Sequence, residues 1–322
     1  VQRNRFFQAV PSFVNNMAKV VPALALMLIL GFQVRASATA GQAVSDPNLV
    51  VMTFNIRYGT ANDGQNNWAN RKEMACDILR RHNPDIVGLQ EALRFQIDDM
   101  RAALPQYAEI GCGRDGETKG EYSAILYRKD RLDVNDSGTF WLSDTPETPG
   151  SITWGNACTR ICTWGRFIAK DSGKAFYLFN THLDHVSQFS RDKSAILLAQ
   201  RIGNRKHPDP ILVTGDFNAG EDNSVVLYLK GQRELNAATN GLSKNPVPLL
   251  DTFRVLHPDV KEVGTFNGFK GSSNGAKIDY ILAQPGTKVL RTEILRDCKD
   301  NCYPSDHFPI MAVLRFDGRM DH

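Results

Sequence analysis

The chain lacks a hydrophobic run able to span a bilayer. Its main apolar stretch, VVPALALMLILGF (20–32), has thirteen residues, whereas a membrane-crossing helix needs about 20. Internal repeats and flexible Gly/Ser-rich linkers are also missing, which argues against strings of tethered modules. The six cysteines (76, 112, 158, 162, 298 and 302) include no CxxC pair, so the common structural zinc frameworks do not apply. The first forty residues lack acid: they hold Arg3, Arg5, Lys19 and Arg35 but no Asp or Glu.

That acid-free segment combines a basic flank, a short apolar core and the small-residue sequence RASATA. The combination predicts a secretory signal peptide over residues 1–40, with Met17 as its conventional start and cleavage near Ala38 or Ala40. The expected location is secreted or periplasmic, with no transmembrane segment in the mature chain. Removing the segment turns 38 basic and 35 acidic residues into 34 against 35. A near-neutral mature chain argues against tight, nonspecific duplex binding. In an oxidising compartment the cysteines can pair. Cys158 and Cys162, read as flanking a strand, are too far apart to bridge. The expected disulfide is Cys298–Cys302, in the polar loop CKDNC.

Residues 46–318 read as one α/β domain. Short apolar runs that end in polar residues predict strands: LVVMTFNIRYG (49–59), DIVGLQEA (85–92), SAILYR, FYLFNTHLDH, ILVTGDFN, KIDYILA and FPIMAVLRF. WANRKEMACDILRRH (68–82) has helical periodicity, with Met74, Ile78 and Leu79 on one face and Pro84 as its stop. SRDKSAILLAQRI (190–202) predicts a second helix, while GTFWLSDTP (138–146) and GTFNGFKGSSNGAK read as loops. Strands outnumber helices, so two packed sheets with helices outside are expected.

Strand after strand ends in a polar cluster: Asn55 with Arg57, Gln90-Glu91, Asn180 to His185, Asp216 with Asn218, Asp279, and Ser305-Asp306-His307. Brought to one edge of the sheets, these ends would build a single site. Glu91, Asp216, Asn218 and Asp306 offer hard oxygen atoms that suit Mg²⁺, Mn²⁺ or Ca²⁺. Histidine is a poor Mg²⁺ ligand, which places His182 and His307 on a phosphate or in proton transfer. Asp279 can hold His307 in one tautomer. Arg160 and Asn55 can grip non-bridging oxygens. A metal, two imidazoles and an arginine around one point fit hydrolysis of a phosphate ester. Asp184 and His185 stand evenly between catalytic and structural roles.

FNIR, GLQEA, NTHLDH, GDFNA, KIDYIL and YPSDHFPI, in this order over about residues 48–317, resemble the endonuclease/exonuclease/phosphatase superfamily of metal-dependent phosphoesterases. The resemblance implies a DNase I-like, four-layer α/β/β/α sandwich of two mainly antiparallel sheets flanked by helices. It implies Glu91 as the principal Mg²⁺ ligand, with Mn²⁺ as the substitute ion, Asn55 assisting and Asp306 near the metal. Asp216 would activate or position the attacking water. Asn218 would align the phosphate or a metal, and His182 would contact the phosphate. The Asp279–His307 pair would stabilise the transition state or act in acid–base catalysis. GEYSAILYRKDRL and ACTRICTWGRF resemble the branch of mostly bacterial, exported members.

The expected activity is thus Mg²⁺-dependent hydrolysis of a phosphodiester or phosphomonoester. The substrate class is open among nucleic acid, phospholipid head group and sugar phosphate, and no stable protein partner is implied. A secreted nuclease acting on DNA or RNA is the alternative within the class. A non-catalytic binding protein on the same fold is the alternative outside it, and the intact ligand set with both histidines speaks against it.

Overall fold

The computed structural model describes residues 48–236 and 241–316; the expected signal peptide lies outside the described residues. In chain order the strands are β1 (Leu49–Asn55), β2 (Ile86–Gln90), β3 (Tyr107–Ile110), β4 (Ile125–Arg128), β5 (Leu132–Trp141), β6 (Ile161–Ala169) and β7 (Ala175–His182). They continue with β8 (Ile211–Asp216), β9 (Leu235–Asn236), β10 (Leu242–Ser243), β11 (Leu250–Asp251), β12 (Asp279–Ala283), β13 (Thr287–Ile294) and β14 (Ile310–Phe316). The helices are α1 (Trp68–His82), α2 (Arg94–Ala103), α3 (Gln188–Gly203), α4 (Ser224–Leu229) and α5 (Thr252–Leu256).

Two six-stranded sheets carry the domain, in the orders β13-β14-β1-β2-β4-β3 and β11-β12-β8-β7-β6-β5. Each is antiparallel apart from one central pair, β1 with β2 and β7 with β8. Parallel neighbours need a crossover, and α1 and α3 supply one each. The two halves therefore repeat one plan, and each presents a pair of strand ends in the same direction.

Alternation along β1 shows how the layers form. Val51 points inward, into a core shared with Phe167, Leu178, Leu212 and Ile281 of the other sheet. Met52 and Phe54 point outward, into a core shared with Cys76, Ile78 and Leu79 of α1 and Ile97 and Met100 of α2. On the far side, Tyr177, Phe179 and Val213 pack with Ala195 and Leu198 of α3 and Val225 and Leu229 of α4. The result is the α/β/β/α sandwich. Central strands buried on both faces read as continuous apolar runs.

Helix α1 matches its sequence signals. Asn67 caps it by accepting the Asn70 N–H, and Asn83 ends it in the left-handed region, with φ 44°. A buried polar contact helps join the sheets. Asn180 donates to Leu89 O (2.8 Å) and Ala124 O (2.9 Å) of the opposite sheet and accepts from Gln90 Nε2 (2.7 Å). Gly88 makes room for it, since a Cβ there would stand 2.4 Å from Asn180 Oδ1 and 2.3 Å from Thr214 Oγ1.

Three expectations need correction. GTFWLSDTP is not all loop, because β5 runs through Trp141 and pairs with β6. Cys162 lies inside β6 rather than beyond a strand. The Cys298–Cys302 disulfide is not formed, and all six cysteines are free. Asp300 (φ 52°) and Asn301 (φ 59°) make a two-residue turn that pairs Lys299 with Cys302. That register sends Cys298 to the opposite face from Cys302.

Candidate active site

The carboxyl ends of both parallel pairs meet at one rim. Asn55 ends β1, Glu91 follows β2, His182 ends β7 and Asp216 ends β8. Asp216 pairs in register with His182 on one side and with Asp279 of β12 on the other. Residues just past the strand ends adopt left-handed backbone: Arg57 (φ 57°), Glu91 (φ 59°) and Asn218 (φ 49°). Such conformations cost about 1–3 kcal/mol in a non-glycine residue and gather where a site over-determines them.

Asn55 joins the two sheets' carboxylates. Its Nδ2 donates to Glu91 Oε1 (3.1 Å) and Asp216 Oδ2 (3.0 Å), while its Oδ1 accepts the Arg57 N–H (3.0 Å). Glu91 Oε2 accepts the Tyr58 N–H (3.1 Å). The Arg57 guanidinium is hydrogen-bonded to Asp63 and stands 3.9 Å from Glu91 and 3.8 Å from Asp306. Beneath it, the buried Arg71 of α1 donates to the carbonyls of Ile56, Arg57, Asn66 and Pro304, tying β1's end to the Asp306 loop.

The second half is a proton-bearing cluster. His307 Nδ1 lies 2.9 Å from Asp279 Oδ2, and its Nε2 lies 3.7 Å from Asp216 Oδ2. Burial alone would lower the imidazole, but the Asp279 and Asp216 charges win and raise it to about 10. Burial, reinforced by Asp279, pushes the Asp216 carboxyl up from the ordinary range. Burial, followed by the Arg160 charge, holds His182 well below its usual value, so it is neutral. The Asn218 amide donates to Leu183 O (3.0 Å), which orients it so that His182 Nε2 (2.9 Å away) accepts its other hydrogen.

Arg160 is 4 % exposed, and its Nε has no hydrogen-bond partner. Asp184 lies 3.8 Å from that nitrogen, but its carboxylate accepts the backbone N–H groups of Ala157, Val186 and Ser187. Asp184 therefore shapes the loop, whereas His185, its exposed neighbour, lines the cleft. The cleft has a volume of about 860 Å³ and brings Glu91, Arg160, His182, Asp216, Asn218, Asp306 and His307 together. Asn55 and Asp279 sit behind this lining, holding Asp216 and His307.

The match to the endonuclease/exonuclease/phosphatase family model spans residues 52–307 and so includes all of these strand ends. The chain belongs to that family. A protein of Acanthamoeba polyphaga mimivirus is 34% identical over 260 residues, covering 76% of this chain and 91% of its own length. An endonuclease/exonuclease/phosphatase from Bacteroides vulgatus has a TM-score of 0.75 at 35% identity, covering 84% of this chain and all of its own. A mannosyl-6-phosphatase from Bacteroides thetaiotaomicron has a TM-score of 0.71 at 33% identity, covering 83% and 100%.

Members of the family are generally divalent-metal dependent, and the donors here fit a hard cation. Glu91 and Asp306 supply carboxylate oxygens, and burial raises the Asp306 carboxyl, a cost that a cation would relieve. Asp216, Asp279 and His307 also have ligand atoms within 4.8 Å of one another, with His307 Nδ1 taken up by Asp279 Oδ2 at 2.9 Å. Sequence reading gave Arg57 no role and missed Arg71, Arg114, Glu121 and Phe266. Phe266, 52 % exposed, sets its ring edge-on to His307 at 5.2 Å. The signal for Arg57 was its place in FNIR; Arg71 is indistinguishable from its surface neighbours in a basic helix.

Proposed function

We propose that this family member is an exported phosphoesterase that uses Mg²⁺ and hydrolyses its substrate by direct attack of water on phosphorus. The observation that carries the reading is the Asp279–His307–Asp216 cluster, linked through Asn55 to Glu91. Glu91 and Asp306, with Asn55 beside them, would hold the ion, which when bound supplies positive charge to a phosphoryl oxygen.

The remaining work falls to the chain's own groups. Asp216, pushed up by burial, takes the proton of the attacking water. The water oxygen bonds to phosphorus as the ester P–O bond breaks, and the departing oxygen takes a proton from solvent. The imidazolium of His307, oriented by Asp279, stabilises the charge that builds on the phosphoryl group. Arg160 contacts the phosphate, and the Asn218–His182 pair forms the wall that sets its angle. The similarity to a mannosyl-6-phosphatase supports a phosphomonoester as the first substrate to try. Support for export is the apolar run and small-residue site of residues 20–40, and amino-terminal sequencing of the secreted product tests it.

The test of the reaction is a panel of p-nitrophenyl phosphate, bis-p-nitrophenyl phosphate, sugar phosphates, sphingomyelin, plasmid DNA and RNA, each with Mg²⁺ and with EDTA. At least one substrate should be cleaved, EDTA should abolish cleavage, and Glu91→Ala or His307→Ala should lose several orders of magnitude. Full activity in either variant would sink the assignment.

A further inference from the structure

Beyond Arg160 the cleft is walled by the loop between β3 and β4, which takes no part in the chemistry above. Arg114 and Glu121 face each other across this loop. Their backbones are joined by Arg114 N–H to Glu121 O (2.9 Å), and their side chains by Nη1 to Oε2 (2.7 Å). The bond from Asp115 N–H to Lys119 O (3.1 Å) closes the loop, and Trp141 Nε1 pins Arg114 O (2.6 Å). The pair is therefore fixed before any ligand arrives. Both residues line the cleft, and with Glu91, Arg160 and His182 they also line a small recess behind it.

One hydrogen bond joins the two side chains. Among the described residues, Glu121 Oε1 and the Arg114 Nε and Nη2 groups make no hydrogen bond with the protein. His185 adds a third group. Its Nδ1 is 3.0 Å from Arg160 Nη2, and a guanidinium can only donate, so the ring proton sits on Nε2. The cleft thus offers an acceptor and two kinds of donor on its lining.

We propose that Arg114, Glu121 and His185 form the subsite for the leaving group, and that this group is a small polyol such as a hexose. The substrate class is then a sugar phosphate monoester, an inference that rests on the hydrolase reading above. A carboxylate accepts one hydroxyl hydrogen while the adjoining guanidinium donates to the neighbouring hydroxyl oxygen, a pattern that vicinal hydroxyls satisfy together. A second phosphate, as in a polynucleotide, would instead meet the Glu121 carboxylate and an arginine whose charge Glu121 already offsets.

The test compares kcat/KM for mannose 6-phosphate and glucose 6-phosphate with that for p-nitrophenyl phosphate, whose leaving group has no vicinal hydroxyls. An oligonucleotide diester is the fourth substrate. The wild-type chain should favour at least one hexose phosphate, and Glu121→Gln and Arg114→Met should each cut that preference by at least about tenfold. Both rates come from one preparation, so loss of folded protein cancels in the ratio. An unchanged ratio in both variants, or a wild-type preference for p-nitrophenyl phosphate or the oligonucleotide, overturns the subsite and leaves the hydrolase reading standing. Hydrolysis of none of the four, or of any further phosphoester, overturns both.

Discussion

Asp279 Oδ2 lies 2.9 Å from His307 Nδ1, with both groups buried and Asp216 on the far side of the ring. A carboxylate in that position selects the tautomer and stabilises the imidazolium. Asp279→Asn keeps the shape and removes the charge. Its kcat on the best substrate should fall by about 10²–10⁴-fold, in the range for a lost acid–base partner. A loss under about threefold in steady-state kinetics would remove Asp279 from the mechanism.

The same pair makes a signed prediction about pH. His307 is raised from 6.5 to about 10, so its charged form stabilises the fold. That contribution is complete below pH 6.5 and is lost as pH rises through about 10. Urea unfolding in EDTA should show wild type and His307→Gln separated at pH 6.5 and converging between 6.5 and 10. A gap that widens with pH would contradict the pairing.

Glu91 ends at Asn55 Nδ2 and the Tyr58 N–H and shares Arg57 with Asp306. If these carboxylates hold the ion, Mg²⁺ stabilises the folded state by about 2.7 kcal/mol at a hundred times its Kd. Differential scanning fluorimetry should show Tm rising with Mg²⁺ in the wild type and not in Glu91→Gln. Equal rises in both would move the metal elsewhere.

Arg71 is 1 % exposed and spends its guanidinium on four backbone carbonyls. Burial lowers it to about 10, yet it keeps its charge near neutrality. Arg71→Met would leave buried acceptors without donors, at about 1–3 kcal/mol each where water cannot replace the donor. Urea unfolding should show a loss of at least about 2 kcal/mol, and the variant should need more Mg²⁺ for the same Tm rise. Wild-type stability in Arg71→Met would show the clamp to be dispensable.

The legible parts of this fold were the central strands, because burial on both faces writes itself as unbroken apolar sequence: β1, β2, β7, β8, β12 and β14. Among the parts missed were half-exposed ones. Edge strand β13 alternates buried with exposed positions, and the middle of β5 is largely exposed, so their composition is that of loops. Short α2 is tied down by Gln96, which accepts the N–H groups of Gly59 and Leu93, a tertiary bond that no local pattern announces.

The candidate site divides along the same line. By itself, the sequence determined which residue types stand at the strand ends, and so the chemistry available: hard oxygens, two imidazoles and an arginine. Tertiary structure alone decided who meets whom. Register set Asp216 against Asp279, sheet packing made Asn180, one of the polar residues at a strand end, a bolt between the sheets, and loop geometry gave the Asp184 carboxylate to three backbone N–H groups. The reason is physical: a side chain's type is local, but its partner is chosen by the packing of segments up to 250 residues apart, as Ser305 and Asn55 are.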